Sequence, residues 1–420
     1  MKACASAQFM TLADMTIERI AAGGDGIARH EGVVIFVPRS APGDRARVRF
    51  DVKKRFARGT IDALLEPSPD RIEPPCPHYV NDKCGGCQLQ HLRYETQVEA
   101  KRGIIRDSLT RIGKREVDLP IVAPSPREWR YRRKLTLAMR RDRGRGWVIG
   151  LRPYDNPDKI FQLDDCPITD ERVIAVWRQV MAAHELFPVE NELRAYVQLT
   201  RNGAAVVMEG GNTWPTRRAF FEAVPLASSL WWKAANRGRM LVAERTSAAG
   251  DASFMQVNVE MGEMLHAYVL ERARAHAPAS VVDAYAGSGA TAVPLAHDGA
   301  RVTAIETDRD AVARCSAALP AGSRAIAARV EDAIAGALPA DVVLINPPRT
   351  GIHESVAAVL ETSTQPPRAM IYVSCDPGTL ARDLARMPRY RIASLKAFDM
   401  FPQTAHVETV CELIPEDRVA

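Results

Sequence analysis

Apolar and polar positions follow two different periods along the chain, and the change of period divides it. From about Met15 to Leu65, short apolar runs stand between turn signals. Gly23-Gly24-Asp25-Gly26 and Pro42-Gly43-Asp44 read as turns, while Val33 to Val37, Ala46 to Phe50 and Gly59 to Leu64 read as strands. Five or so short strands in roughly fifty residues predict a small closed barrel. Pro67 to Pro77 is proline-rich and reads as a linker. Between Gln88 and Gly113, residues Leu89, Leu92, Ile104, Ile105, Leu109 and Ile112 recur at helical intervals, and Gly113 is a plausible stop. Lys134 to Arg140 alternates, and Trp147 to Leu151 follows a turn at Arg143 to Gly146. Asp170 to Leu186 is helical, and Ala195 to Glu209 alternates in one stretch closed by Gly210-Gly211-Asn212.

From about Ser253 onward, apolar strands alternate with helices. The strands are Val281 to Tyr285, Val302 to Glu306, Ala325 to Val330, Val342 to Ile345 and Ala369 to Val373. Ala290 to His297, Asp310 to Ala318 and Val356 to Glu361 read as the helices between them. Such alternation predicts a mostly parallel, doubly wound sheet, so the chain is α/β in class.

With 420 residues the chain is too long for one core, and two or three domains are expected. A hydrophobic fraction of 46% and a charged fraction of 25% are those of a globular protein. No apolar run reaches the ~18 residues that span a bilayer. The first ten residues lack the layout of a secretory signal, so a cytoplasmic protein is expected. The net charge of +5 is unevenly spread. Arg45 to Arg58 holds seven Lys/Arg against one Asp, and Arg127 to Arg145 holds nine against two acids. The second run is interleaved with Trp129 and Tyr131, which favours a polyanion as partner over a merely solvated face. Eight cysteines at this length and in this compartment are not a disulfide framework. Cys76, Cys84 and Cys87 crowd into one loop and point to metal or cluster ligation. Cys166 can supply a fourth ligand; Cys4, Cys315 and Cys411 have no evident partner.

Two stretches carry candidate chemistry. Asp283-Ala284-Tyr285-Ala286-Gly287-Ser288-Gly289 runs from strand through glycine loop to helix. Glycines there let a backbone approach a ligand, and Glu306 at the next strand end can accept bonds from both ribose hydroxyls of a nucleoside. Only two glycines appear, which separates this loop from the three-glycine dinucleotide fingerprint. It resembles the S-adenosylmethionine site of class I methyltransferases; an NAD site is the rival. The second stretch is Ile371-Tyr372-Val373-Ser374-Cys375-Asp376-Pro377-Gly378-Thr379. A free cysteine is ordinarily a small buried hydrophobe. Cys375, however, falls where a strand meets its loop, the edge at which ligands gather in α/β sheets. Cys375 is therefore the candidate nucleophile. With a methyl donor, its chemistry would be addition to C6 of uracil, which makes C5 able to take a methyl group. A base must then remove the C5 proton. Glu408 on the last strand is the candidate, with His406 as its rival.

The stretch from Gly24 to Ala28, with Val33 to Pro38 and Pro42-Gly43-Asp44, resembles the TRAM domain, an OB-like RNA-binding barrel. A generic barrel without ligand is the alternative. Ser253-Phe254-Met255-Gln256-Val257-Asn258, the Asp283 loop, Asn346-Pro347-Pro348-Arg349, Ser374-Cys375-Asp376-Pro377 and His406-Val407-Glu408-Thr409-Val410 follow the order of the RNA (uracil-5-)-methyltransferase family. The chain is similar to those members that modify 23S ribosomal RNA. The resemblance implies three units. They are a TRAM-like barrel over 1–68, a mixed α+β central domain over 69–250, and a class I, Rossmann-like methyltransferase domain over 251–420. It implies Gln256, Tyr285, Glu306 and Asn346 as contacts of S-adenosylmethionine, Cys375 as nucleophile and Glu408 as proton acceptor. The family usually carries Asp where this chain has Asn346, which keeps the hydrogen bonds and loses the charge. Ala290 also stands where many members are polar. Cysteine spacing leaves zinc and a [4Fe–4S] cluster open; the resemblance favours the cluster, on Cys76, Cys84, Cys87 and Cys166.

The leading expectation is thus an enzyme that forms 5-methyluridine in structured RNA, ribosomal RNA before transfer RNA, acting as a monomer without a membrane partner. The competing expectation is an iron–sulfur RNA-binding protein with a disabled transferase fold.

Overall fold

The computed structural model describes residues 11–52, 56–142, 144, 146–245 and 256–416. Their strands form three sheets. The first comprises β1 (Thr11–Thr16), β2 (Arg19–Ile20), β3 (Gly26–His30), β4 (Val33–Val37), β5 (Arg45–Val52) and β6 (Phe56–Glu66). Its spatial order is β1-β5-β6-β4-β3-β2, and the sheet curls until β1 lies against β3. Met15, Ile35, Val37, Val48 and Phe50 fill its interior. On the outside, much of the first basic run is spent within the barrel: Arg45 pairs with Glu66, Arg47 with Asp14, Arg49 with Asp62 and Arg58 with Asp25.

The linker leads to a short helix, α1 (Pro77–Val80), then α2 (Tyr94–Arg111) and β7 (Ile121–Ala123). The helix expected from Gln88 starts at Tyr94, because the amides of Gln88 and Leu89 are held by the Gln403 carbonyl at 3.1 and 3.0 Å. The second sheet contains β8 (Lys134–Asp142), β9 (Gly146–Leu151), β10 (Phe161–Gln162), β11 (Glu192–Thr200), β12 (Gly203–Glu209), β13 (Ala227–Lys233) and β14 (Arg239–Glu244). Their order is β10-β9-β8-β11-β12-β13-β14. The stretch Ala195 to Glu209, read as one alternating run, is instead a hairpin whose two-residue turn sets Thr200 opposite Gly203. Helices α3 (Glu171–Ala182) and α4 (Arg217–Ala223) cover one face of this sheet, burying Trp177, Trp214 and Phe220. Asp170 caps α3, its side chain accepting from the Arg172 amide at 2.9 Å.

The third unit starts with α5 (Val259–Arg274), capped by the side chain of Asn258. It continues through β15 (Ser280–Ala284), α6 (Ala292–His297), β16 (Arg301–Glu306), α7 (Arg309–Ala318), β17 (Arg324–Ala327) and α8 (Val330–Ala337). Then come β18 (Val342–Ile345), α9 (Glu354–Thr362), β19 (Ala369–Ser374), α10 (Pro377–Ala385), β20 (Tyr390–Phe398) and β21 (Glu408–Pro415). The order is β17-β16-β15-β18-β19-β21-β20-β7. β15 to β19 run parallel; β21 is antiparallel to both its neighbours. Winding runs one way from β15 to β17 and the other way from β18, so a crevice opens beyond the carboxyl ends of β15 and β18.

The span expected as one central domain is divided by packing. β7 pairs with β20, and Ile105 and Leu109 of α2 share the third unit's core with Leu380 and Leu384. Both elements precede the second sheet in sequence and belong to the third in space.

Candidate active site

Four of the five parallel strands, β15, β16, β18 and β19, bring candidate groups to the crevice. After β15, Tyr285 takes a left-handed φ of 65° and Gly289 one of 89°. A side chain at Gly289 would meet Cys315 Sγ at 2.7 Å, so the loop needs glycine there for space as well as for conformation. Cys315 is thus packing under the loop. Left-handed backbone at a tyrosine is strain of the kind that marks functional loops. Asp283 is buried and accepts from Thr291 Oγ1 at 2.5 Å; burial pushes its carboxyl up to about 7. Glu306, at the end of β16, closes the loop. Its Oε2 accepts from the Gly287 amide at 3.0 Å, and its Oε1 accepts from the Thr307 and Asp308 amides at 2.6 and 2.9 Å. Asn346 is exposed just beyond β18, its amide bonded to the Ala284 carbonyl at 3.3 Å. Gln256 lies over Gly262 of α5. Ser253, Phe254 and Met255 of the same motif lie outside the described residues, as does Cys4.

Cys375 follows the last residue of β19, half-buried, and Asp376 then caps α10 by accepting from the Thr379 amide at 2.7 Å. The last pair of the β19–β21 ladder is Ser374 with Thr409. Cys375 and Glu408 are the residues one step beyond that pair, which puts the thiol beside the carboxyl. Burial raises the Cys375 thiol first, the Glu408 charge raises it further, and Arg349 opposes both. Glu408 is 9% exposed; burial pushes its carboxyl up to about 7, against the pull of Arg349. His406 is exposed at the rim, with Phe401 edge-on at 6.1 Å.

Arg349 is placed by a buried carboxylate. Asp383 of α10, with no exposed side-chain surface, accepts from the Ile352 amide at 3.0 Å and the Tyr372 hydroxyl at 2.7 Å. The loop after β18 is thereby tied to the strand and helix that flank Cys375. Thr379 Oγ1 adds a bond to the Arg349 carbonyl at 3.2 Å.

The segment leading into Glu408 is held from three sides. Lys101 of α2 and Asp399 form an ion pair at 2.5 Å with neither side chain exposed, and Tyr94 donates to the same carboxylate at 2.9 Å. Gln97 donates to Gln403 Oε1 at 2.9 Å and accepts from the Gln403 amide at 2.9 Å. Tyr131, just ahead of the second sheet, donates to the Pro402 carbonyl at 3.0 Å. The barrel arrives through Gly24, where a side chain would strike Gln88 Cβ at 2.4 Å and Ala405 Cβ at 3.3 Å.

This arrangement has relatives. A model of the tRNA (uracil-5-)-methyltransferase family matches residues 321–414, the part that carries Cys375 and Glu408, and a TRAM-domain model matches residues 13–61. An uncharacterized RNA methyltransferase of Halalkalibacterium halodurans is 31% identical, with 95% of this chain and 96% of that one covered. Another, of Gloeobacter violaceus, is 33% identical over 94% of this chain and 95% of its own. The chain belongs to the RNA (uracil-5-)-methyltransferase family. A solved structure, the Pyrococcus abyssi tRNA (uracil-54, C5)-methyltransferase in complex with S-adenosyl-L-homocysteine, shares the fold. Its TM-score is 0.70 at 24% identity, covering 95% of this chain and 99% of that one. The expected TRAM barrel and Rossmann-like transferase domain are both present.

The methyltransferase places its other expected groups unevenly. Cys76, Cys84, Cys87 and Cys166 line one cavity of about 120 Å³ with Tyr79, Gln90 and Arg132. Burial lifts the Cys84 thiol to about 11, and the neighbouring sulfurs add to the rise. Yet among the described residues no group of three His, Cys, Asp or Glu side chains is set to hold a metal ion. The four thiols converge on this cavity. Cys411 is buried in the third unit's core. Much of the second basic run is consumed internally: Arg127 pairs with Glu260, Arg130 with Asp165 and Arg140 with Glu192, while Arg143 and Arg145 lie outside the described residues. Among the described residues, no helix is long and apolar enough to cross a membrane. Sequence reasoning passed over Arg349, Asp383 and the Lys101–Asp399 pair. Arg349 carried a signal, as the cation following two strand-end prolines.

The ionisation of Glu408 gives a test. A carboxyl ionising near 7 is protonated below that pH and able to accept a proton above it. RNA methylation is expected to rise with pH through about 7, and Arg349→Gln, which removes the cation that lowers the carboxyl, is expected to move that limb to higher pH. Initial rates across neutral pH check this. A limb that stays in place in Glu408→Gln would assign it to another group.

Proposed function

We propose that this methyltransferase forms 5-methyluridine in structured RNA through a covalent bond between Cys375 and the target base. The observation that carries the reading is the thiol and the buried carboxyl side by side at the ends of β19 and β21, with Arg349 acting on both.

The crevice suits S-adenosylmethionine. Gly289 has no room for a side chain, and Gly287 directs its amide to Glu306. Glu306 Oε2, with one donor, keeps acceptor capacity for a ribose hydroxyl. Tyr285 and Asn346 follow the ends of β15 and β18, and Gln256 lies over α5; Asn346 offers hydrogen bonds without charge. When bound, the donor supplies a methyl group on a positively charged sulfur.

The sequence of bonds is then as follows. Cys375, as thiolate, adds to C6 of a flipped-out uracil, and the electron pair moves to the C5 enolate. Arg349 favours the thiolate against burial. C5 attacks the methyl group, the C–S bond of the donor breaks, and S-adenosylhomocysteine is left. Glu408 takes the C5 proton, the C5–C6 double bond re-forms, and the thiolate leaves. A buried carboxylate ionising near neutrality is matched to that proton transfer. Glu408 is preferred to His406 because it adjoins Cys375, while His406 stands on the rim.

Ribosomal RNA is the proposed substrate class and the cytoplasm the proposed compartment; similarity to the 23S-modifying members supports the first. Transfer RNA is the second reading, supported by the name of the matching family model. We further read Cys76, Cys84, Cys87 and Cys166 as ligands of a structural [4Fe–4S] cluster that staples the loop to the second sheet, zinc being the alternative. Their meeting on one cavity supports this.

Two experiments test these statements. RNA carrying 5-fluorouridine, which cannot lose a C5 proton, is expected to give a denaturation-resistant adduct with the wild type and none with Cys375→Ala. Adduct in the variant would remove the nucleophile assignment; none with either protein would return the disabled-transferase reading. Anaerobically purified protein is expected to be brown, with visible absorption lost in the Cys84→Ser/Cys87→Ser variant. Colourless protein holding zinc would replace the cluster.

A further inference from the structure

A stripe along α2 is polar although the protein covers it. Tyr94, Gln97 and Lys101 recur at the spacing that shares a helix face; Tyr94 is half-buried, and Gln97 and Lys101 are buried. All three bond to the segment between β20 and β21. Lys101 Nζ donates to Asp399 Oδ1 at 2.5 Å and to the Phe401 carbonyl at 3.1 Å. Asp399 Oδ1 also accepts from the Phe401 amide at 3.2 Å. The Tyr94 hydroxyl is used twice: it donates to Asp399 Oδ2 at 2.9 Å and accepts from the Ser125 amide at 2.7 Å. Ser125 follows β7, and its Oγ accepts from the side-chain amide of buried Asn258 at 3.1 Å. That amide also reaches the Met400 carbonyl at 3.4 Å, while Asn258 Oδ1 accepts from the Met261 amide in the first turn of α5 at 3.4 Å. Two routes thus join Asn258 to Asp399 and Met400, one direct and one through Ser125 and Tyr94.

The two ends of this circuit belong to two halves of the reaction. Asn258 closes the motif that carries Gln256, on the side of the methyl donor. Asp399 and Met400 open the segment that ends at Glu408. We infer that Tyr94 is a positioning residue for Glu408, and that Asn258 fixes the methyl-donor segment in the same frame. The inference rests on Glu408 being the proton acceptor. Apolar side chains would seal α2 against this segment without the desolvation that buried polar groups incur, but they would not specify one register. Paired polar groups do, because a shift of either partner leaves a buried donor or acceptor unmet. The chemistry needs that register. The C5 proton has to lie within hydrogen-bond reach of the carboxyl, on an adduct whose methyl group comes from a cofactor held by another segment. Tyr94 acts on the base side, through Asp399. Asn258 acts on both sides, through its α5 cap and its bond to Met400.

The test uses the full chain, substrate RNA and S-adenosylmethionine. Tyr94→Phe keeps the ring and removes only the hydroxyl. It is expected to lower kcat by roughly ten- to a hundredfold, with the KM for RNA and the affinity for S-adenosylhomocysteine as in the wild type. Denaturation-resistant RNA already methylated at C5 should accumulate, because the step that Glu408 performs becomes the slow one. Asn258→Ala should accumulate the same species and, in addition, bind S-adenosylhomocysteine more weakly. Ser108→Ala removes another buried hydroxyl from α2, one bonded to the Ile104 carbonyl at 2.8 Å, and should turn over as the wild type does. Glu408→Gln assayed alongside separates this inference from the reading beneath it. If Glu408→Gln stalls while Tyr94→Phe turns over normally, or loses kcat without a methylated adduct, the positioning role is overturned and the base assignment stands. If Glu408→Gln turns over normally, the base assignment falls and the positioning role with it.

Discussion

One antiparallel strand inserted into a parallel sheet makes the site. Parallel strands deliver their carboxyl ends to one edge, so they can bring Asp283, Glu306, Asn346 and Cys375 together, but each arrives on a separate strand. β21 runs the other way and brings its first residue to the same edge. Glu408 therefore lies beside Cys375 in register, with no long loop to position it. The same placement buries the carboxyl, and burial lifts its ionisation towards neutrality. Geometry and proton affinity have a common cause here, the seating of a carboxylate between two paired strands.

That seating depends on what happens just before β21. The segment from Asp399 to His406 joins α2, the cysteine loop, the second sheet's approach and the barrel turn. Its anchor is an ion pair without solvent contact. Such a pair gains little net stability over apolar packing, but removing one partner strands a charge at a cost of about 3–5 kcal/mol. The pair thus acts through selectivity: one arrangement of α2 against this segment satisfies both charges. The barrel turn, the approach to the second sheet, α2 and the strand that carries Glu408 converge on these few residues. Asp383 plays the matching role on the other side, locking the Arg349 loop to α10.

Much of this was readable in the chain, and the failures have definite causes. β4 and β18 fall on the expected bounds because each is a continuous apolar run ended by prolines or turn residues. The strand-end cysteine and the glycine loop were also plain, since strand–loop–helix transitions carry their own punctuation. The β11–β12 hairpin was read through as one strand, although Asn202-Gly203 marked its turn; alternation persisted on both sides and hid the break. α2 was visible as a helix, but periodicity names an apolar face and not the sheet it will meet. Lys101 and Asp399 stand 298 residues apart, and no local pattern announces that pairing. The basic run over Arg127 to Arg145 suggested a grip on phosphate. Several of its members instead hold carboxylates of the protein, a distinction that composition does not carry.

The most direct measurement of the account's central claim is the fate of natural RNA in the Glu408→Gln enzyme with S-adenosylmethionine present. The geometry predicts a stalled species: RNA bonded to Cys375 Sγ and already methylated at C5, stable to denaturation and assignable by peptide mass spectrometry. Normal turnover without such a species, or a bond to a residue other than Cys375, would contradict the pairing of thiol and carboxyl on which the reading stands.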